Sequence, residues 1–457
     1  MSSTASTFID ARVLDFTRLV GHLSAPPSLP TSRQIRNQLL NLFLHSSLYP
    51  PPSSDTQQAR PVPKSERWSL LNRFDARARL FAFGDVPAHL FADRFDGAEL
   101  VNDKVKTDEE KAVPCWGLLM LTSPQNSLID PPKEDEDPPV LDIWISHRCQ
   151  PDQDNDRPTA FVLQILSDLL PKEVRKWVRN QQGKPVGYAQ DVFGYTLPQD
   201  IVLAIRHHAQ DASRRITFGF EYVGQAFFLQ ARQCWPQPAP DVKGLPNLFM
   251  TKVRNDDLEL VWEGAHRYYS TAYIGSRAHI SCCLRERLPP ATKKETMPTP
   301  QDVEAPGQSR PIAWSLAHSA LAIAATFVIP EWRSRLVDTT NTTTLATKER
   351  PPMRASELII RHISRDIVEA QLYALWACGL SSSAQTWEPT PEASHASIRS
   401  SLQSDKVQAW EDIVVVTAES ETDNAAAHRM WDRLRFSDLD QARDFGLGWI
   451  LFTIPLA

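Results

Sequence analysis

Glycine is scarce in this chain of 457 residues, with 16 against 36 prolines. Few positions therefore give the backbone free access to left-handed turns or close approach. A basic excess is also missing. Lys and Arg number 49 against 55 Asp and Glu, a net charge of −6, which argues against a general nucleic-acid binder because nothing is left over to neutralise phosphates. The six cysteines, Cys115, Cys149, Cys234, Cys282, Cys283 and Cys378, form no CxxC pair and read as reduced thiols of an intracellular protein. Cys282 and Cys283 are adjacent. On a strand they face opposite sides, which disfavours both a bridge and a joint metal site. Gly-x-Ser-x-Gly, a Walker-type loop and zinc spacing are all lacking, and no metal is expected. The opening MSSTASTFIDARVLDF carries Asp10 and Arg12 where a signal peptide needs an apolar core. The most apolar run, IAWSLAHSALAIAATFVIP (312–330), is long enough to raise a membrane question. It is rich in Ala and broken by Ser315, His318, Ser319 and Thr326, so it reads as two strands and a turn. The chain is expected to be intracellular and cytoplasmic, with no membrane or nucleic-acid partner.

What remains is globular: 42% hydrophobic and 23% charged residues, at a length that suggests two or three domains. Residues 1–48 hold two helical patterns, FIDARVLDFTRLVGHL and SRQIRNQLLNLFLHSSL, before a proline-rich linker at 49–64. An N-terminal α/β domain is expected at 65–240, with strands in ARARLFAFG, VPCWGLLML and PPVLDIWISHR. TAFVLQILSDLLPKEVRKWVRN has helical spacing with a break expected at Pro171. DIVLAIRHHA (200–209) and RRITFGFEYVGQAFFLQA read as strand or mixed segments, and a His207–His208 pair on a strand alternates faces, which makes a metal site improbable. The acidic block within PPKEDEDPP is a solvated loop.

CWPQPAPDVKGLPN marks a boundary, and a second domain spans 246–457. Its order is helix, hairpin, loop, helix, strand, helix, strand, with a threonine-rich insert at 339–352 and a polar loop at 381–397. The layout is α/β (α+β): a mixed, mostly antiparallel sheet covered by helices. VPCWGLL and RPIAWSL echo one another, each followed by an apolar strand and a helix, which allows two related halves.

Three stretches carry chemistry: Pro311 through Trp314; Val328, Pro330, Glu331, Trp332 and Arg333; and Asn424, Ala427, Met430, Trp431, Leu434, Arg435 and Phe436. In order and spacing they resemble the GNAT superfamily of N-acyltransferases, most closely its glycine N-acyltransferase-like branch. The resemblance covers about 256–457; the apolar strands at 76–148 followed by the helix at 159 allow a divergent second half in the N-terminal domain without requiring it. It implies acetyl-CoA or another acyl-CoA as co-substrate and a small amine or amino acid as acceptor, with direct attack on the thioester. Val328 would offer backbone groups to the pantetheine arm. Arg333, Ser334, Arg335, Leu336, Val337 and Asp338 would form the phosphate loop, where backbone N–H groups at a helix start cradle the pyrophosphate. Asn424 would open the next helix beside the cofactor. Glu419 or Glu421 would act as general base through water.

The sequence departs from that pattern in three places. Leu336 stands where the loop has glycine, and forcing it into the left-handed region costs roughly 1–2 kcal/mol, unless the loop is reshaped. The threonine-rich insert separates the loop from its helix. Trp431 stands where the family has its tyrosine acid, and an indole N–H is no usable acid near neutral pH. Plainer readings stand beside these: surface arginines at 333 and 335, a helix cap at Asn424, core packing at Trp431, a turn residue at Glu331 and a loop residue at His318. The leading function is an acyl-CoA-dependent N-acyltransferase. The alternative is a catalytically degenerate GNAT-fold binding or scaffold protein, and a third reading is an interaction hub built on the proline-rich linkers.

Overall fold

The computed structural model describes residues 8–24, 35–36, 39, 78–92, 114–122, 139–150, 156–175, 189–211, 213, 215–230, 241–242, 247–264, 271, 274–275, 278, 281–288, 309–317, 322–337, 339–340, 352–377, 415–421, 423–438 and 447–455. The linker at 49–64, the polar loop at 381–397, Asp338 and most of the second N-terminal helix lie outside them.

In chain order the elements that matter are β1 (Ile9–Asp10), α1 (Phe16–Ser24), β2 (Ala78–Gly84), β3 (Trp116–Thr122), β4 (Val140–Ile145), α2 (Arg157–Gln164), β5 (Ala189–Pro198), α3 (Gln199–Ala209) and β6 (Thr217–Gln230). Then follow β7 (Asp241–Val242), β8 (Leu248–Thr251), α4 (Leu258–Gly264), β9 (Ser281–Arg287), β10 (Ser309–Ala317), β11 (Ala322–Val328), β12 (Leu336–Val337), β13 (Thr339–Thr340), β14 (Met353–Arg354), α5 (Ala355–Ala377), β15 (Val415–Glu421), α6 (Ala425–Arg433), β16 (Ser437–Asp438) and β17 (Leu447–Pro455).

One 13-stranded sheet runs β1-β2-β3-β4-β5-β17-β6-β15-β11-β10-β9-β8, with β16 on β6. The α/β class and the mostly antiparallel sheet expected from the sequence are therefore present. Each half repeats one order. In the first, β2, β3 and β4 form an antiparallel meander, α2 crosses over, and β5 lies parallel to β4. In the second, β9, β10 and β11 form the meander, α5 crosses over, and β15 lies parallel to β11. The echoing stretches VPCWGLL and RPIAWSL fall on β3 and β10, the middle strand of each meander. The halves exchange their last strands. β17, from the C-terminal half, sits between β5 and β6, and β6 sits between β17 and β15. Neither half closes its own sheet without the other.

Helix α5 covers the second half because Leu358, Ile359, Ile360, Ile363, Ile367 and Val368 recur at helical spacing and are all fully buried. Each such side chain contributes roughly 1.5–3 kcal/mol of burial. The opposite face is closed by α4, where Val261 packs with Cys283, Trp314 and Leu316. A Cβ at Gly264 would meet Trp314 Cζ2 at 2.3 Å, so this helix end tolerates only glycine. A buried ion pair seats α4 on β9. Arg285 Nη1 lies 2.6 Å from Asp257 Oδ2 and its Nε donates to Ser309 Oγ at 2.9 Å.

Two expectations are corrected. DIVLAIRHHA is helix α3, not a strand: Ile201, Val202, Ala204, Ile205 and His208 form one buried stripe, and the β-branched residues disguised it. His207 is therefore exposed beside a buried His208 on a helix. The helix does not break at Pro171, because a π turn at Ile165–Leu169 sits one turn upstream and takes up the ladder irregularity. Within the insert, Thr339–Thr340 pair with Asp241–Val242, and residues 341–351 lie outside the described residues. The run at 312–330 forms strands, and no described helix is long and apolar enough to cross a membrane.

Candidate functional site

The parallel strands β11 and β15 pair only at Ala322↔Thr417 and Ile323↔Ala418. Beyond that point they part into a fork, with β11 continuing to Val328 and β15 to Glu421. The N–H of Ile329 donates to the Ile312 carbonyl at 2.9 Å, toward β10. Strand alternation then turns the N–H and C=O of Val328 the other way, into the fork. Arg333 Nε donates to that Val328 carbonyl at 3.1 Å. Its guanidinium lies 5.6 Å from the centroid of Phe327, which stacks on Trp314. Arg335 lies 4.8 Å over the ring of Trp332. Both arginines are exposed, and neither has a carboxylate partner among the described residues.

The loop is built without glycine by avoiding the left-handed conformation. Pro330–Trp332 form a 3₁₀ turn, Arg333 and Ser334 complete it, and Leu336 is extended in β12. The positive-φ strain expected at Leu336 is therefore absent, and the loop is reshaped. β12 pairs with β14, which hands the chain directly to α5, so the ribbon closes the gap the insert opens. Ser334 and Leu336 are exposed and Val337 is fully buried.

Glu419 and Glu421 stand opposite Ala226 and Gly224 in the β15–β6 ladder, at the fork's open end. Asn424 caps α6 there, its side chain accepting from Ala427 N at 3.1 Å. Parallel strands end on one side of a sheet, so the loop at 329–335 and the start of α6 meet at the same edge. Trp431 lies elsewhere. It is 4% exposed, in the core with Leu434 and Phe436, its ring 5.0 Å from that of Phe436. The Leu-Arg-Phe ending of α6 is a helix stop: Arg435 takes φ 63° and Phe436 N donates to the Trp431 carbonyl at 3.0 Å. Arg433 Nε reaches Glu357 Oε1 at 2.6 Å, tying α6 to the first turn of α5.

A second fork escaped the sequence reading. β4 and β5 pair only at Val140↔Phe193 and Leu141↔Gly194 before parting. The loop after β4 differs from its counterpart in charge. Asp156 Oδ2 accepts from Gln150 N at 2.6 Å and Thr159 N at 3.0 Å, capping α2. Asp200 Oδ2 accepts from Cys149 N at 2.7 Å. Arg157 is bound in bidentate fashion by Asp85 at 2.6 and 2.7 Å. Deeper in this fork, Asp142 is 7% exposed, and burial alone pushes its carboxyl up to about 8. A lone Asp in the apolar strand VLDIWI was the available signal.

The described cysteines offer no nucleophile. Cys115, Cys149, Cys282 and Cys283 are free and buried. Burial raises all four thiols, Cys115 to about 11 and Cys283 to about 12. No group of His, Cys, Asp and Glu that could hold a metal ion occurs among the described residues.

No protein-family model matches the chain. No curated protein matches it. Among solved structures, it is similar to a Drosophila protein at 11% identity, over 94% of this chain and 98% of that one, with a TM-score of 0.40. It is similar to a GCN5-related N-acetyltransferase from Sphaerobacter thermophilus at 10% identity, over 79% and 85%, with a TM-score of 0.32. It is similar to a tandem GNAT protein from the clavulanic acid biosynthesis pathway at 11% identity, over 99% of each chain, with a TM-score of 0.34. All three scores lie below 0.5.

Proposed function

We propose that the chain is an acyl-CoA-dependent N-acyltransferase whose co-substrate lies in the fork between β11 and β15. One observation carries the reading. At the mouth of an open parallel fork stand two arginines without carboxylate partners among the described residues, beside a strand end that turns its backbone polar groups inward. An unpaired guanidinium held on an aromatic face keeps its outer N–H groups for an anion, and coenzyme A brings phosphates. The fork supplies strand-like backbone partners for the amide-rich arm that follows them.

In this reading the acceptor amine attacks the thioester carbonyl carbon. The C–N bond forms, and collapse of the tetrahedral species breaks the C–S bond. The nitrogen's proton passes to water beside Glu419 or Glu421, and the thiolate takes a proton from water. Trp431 is given no part in that transfer, since a buried indole is a donor and not an acid.

Titration with acetyl-CoA tests the reading, with Asn424→Ser alongside. Serine keeps the helix cap and removes the side-chain amide. Micromolar binding, weaker in the variant, followed by thiol release in the presence of a small amine, is the expected result. Binding without thiol release across an amine panel supports the alternative of a degenerate binding protein, for which the absent tyrosine speaks. No binding by folded protein removes the acyltransferase reading and favours the degenerate scaffold.

A further inference from the structure

The chain leaves the loop after Val337 and returns at Met353. The β12–β14 ribbon rejoins the two ends, with Leu336 opposite Arg354 and Val337 opposite Met353. Directly opposed residues of an antiparallel pair share a face, with Cα atoms about 4.5–5.5 Å apart. Leu336 and Arg354 are both exposed, so their side chains stand together on the outer face of the ribbon, while Val337 is fully buried. At 57% exposure Leu336 is the barest large apolar side chain among the described residues. A lone exposed leucine needs no explanation. This one has a cation beside it.

The guanidinium of Arg354 makes no ion pair or hydrogen bond among the described residues. The first carboxylate of α5, Glu357, is held by Arg433 at 2.6 Å. Arg335 directly precedes Leu336, so the Cα atoms of Arg335 and Arg354 lie within roughly 9 Å of each other. With Arg333, three arginines without carboxylate partners among the described residues gather at one edge of the sheet. Two of them suit a pyrophosphate, and the third stands beyond the loop, next to an apolar side chain. Coenzyme A ends, opposite its thiol, in an adenine ring and a ribose 3′-phosphate. The ring is flat with apolar faces, and a phosphate monoester is close to a dianion at neutral pH. The Leu336–Arg354 pair presents one surface to each.

We propose that Arg354 recognises the ribose 3′-phosphate of the co-substrate, with Leu336 under the adenine, so that the protein selects acyl-CoA over acyl thioesters that lack this phosphate. The inference rests on the acyl-CoA reading of the β11–β15 fork and adds a residue to it. Arg354 lies on the far side of the insert and reaches the loop only through the register of the ribbon. A guanidinium can grip a phosphate through two parallel N–H···O bonds, which an ammonium cannot reproduce. An arginine that merely steadied the ribbon would favour all acyl thioesters alike. Preference for the 3′-phosphate sets the two roles apart.

Calorimetric titration of the full chain with acetyl-CoA and with acetyl-dephospho-CoA, which differ only in that phosphate, decides it. The parent is expected to bind acetyl-CoA about tenfold more tightly than the dephospho form. Arg354→Ala should lose this preference. Its affinity for acetyl-CoA should fall about tenfold, while its affinity for the dephospho form stays that of the parent. Arg354→Lys should keep part of the preference, as a point charge without the fork. Leu336→Ser should weaken both forms several-fold and leave their ratio unchanged. Equal binding of the two forms by the parent, or a preference that survives in folded Arg354→Ala protein, overturns the proposal and leaves the acyl-CoA reading standing. Failure of the folded parent to bind either form overturns that reading, and the proposal with it.

Discussion

Arg333 Nε donates to the carbonyl oxygen of Val328 at 3.1 Å, across the mouth of the β11–β15 fork. The bond holds a cation where an anionic ligand would enter, and it occupies a backbone acceptor that such a ligand's arm would use. The two effects oppose each other, and their sum is measurable. A charge-assisted bond to phosphate contributes about 1.5–3 kcal/mol, whereas freeing one exposed carbonyl gains little. Arg333→Ala is therefore expected to lower acetyl-CoA affinity about tenfold or more. Stability should shift by less than about 0.5 kcal/mol, since the side chain is exposed. Arg335→Ala should act similarly, and the double variant should show a flatter salt dependence. Tighter binding by Arg333→Ala would identify the arginine as a plug instead.

The left-handed residue at the end of α6 gives a stability prediction free of any functional assumption. Arg435 has φ 63°, and its side chain is exposed. The strain belongs to the backbone, so Arg435→Gly should stabilise the fold by about 1 kcal/mol, offset in part by the greater freedom of glycine in the unfolded chain. Chemical denaturation with an unchanged m-value is the check. A destabilised variant would mean that the arginine side chain makes a contact worth more than the strain.

That residue also shows why some features were legible in the sequence and others were not. Leu434-Arg435-Phe436 ends a helix because the pattern of apolar residues stops there, and that is local information. Helix α5 and the hairpin β10–β11 were readable for the same reason. Helix α3 was not, since Ile201 and Val202 carry strand propensity and only packing against the sheet settled the matter. The exchange of β6 and β17 between halves leaves no local trace at all, because register across strands far apart in the chain is fixed by tertiary pairing. At the candidate site, Val328, Arg333, Arg335 and Asn424 were named from the resemblance that the three stretches carry. The contact between Arg333 and Val328, the extended Leu336 and the acidic second fork needed three dimensions.

Asp142 makes stability depend on pH in an uncommon direction. Its folded value, near 8, lies above the ordinary carboxylate value of 3.8. Between those limits the unfolded chain has released the proton and the folded chain keeps it. Unfolding thus releases a proton, and stability falls as pH rises from about 4 to about 8, with the penalty fully present above. Asp142→Asn should flatten this slope and stabilise the protein at pH 8 by on the order of 2 kcal/mol. Urea midpoints of both proteins from pH 5 to pH 9 would show it. Parallel pH profiles would place a compensating cation beside the carboxyl.

The two forks repeat one topology but should not bind the same ligand. In the second half Arg333 and Arg335 have no carboxylate partner among the described residues, whereas in the first Asp156 and Asp200 occupy the backbone N–H groups of Gln150, Thr159 and Cys149. A carboxylate bonded at 2.6–3.0 Å to N–H groups is the chain's own anion in an anion's place. Displacing it would bring two negative groups together. Acetyl-CoA should therefore bind with a stoichiometry of one per chain, and Asp156→Ala should destabilise α2 by about 1 kcal/mol without altering that affinity. Two equivalents of acetyl-CoA, or an affinity change in Asp156→Ala, would require the first fork to shed its carboxylates on binding and would make the halves functionally equivalent.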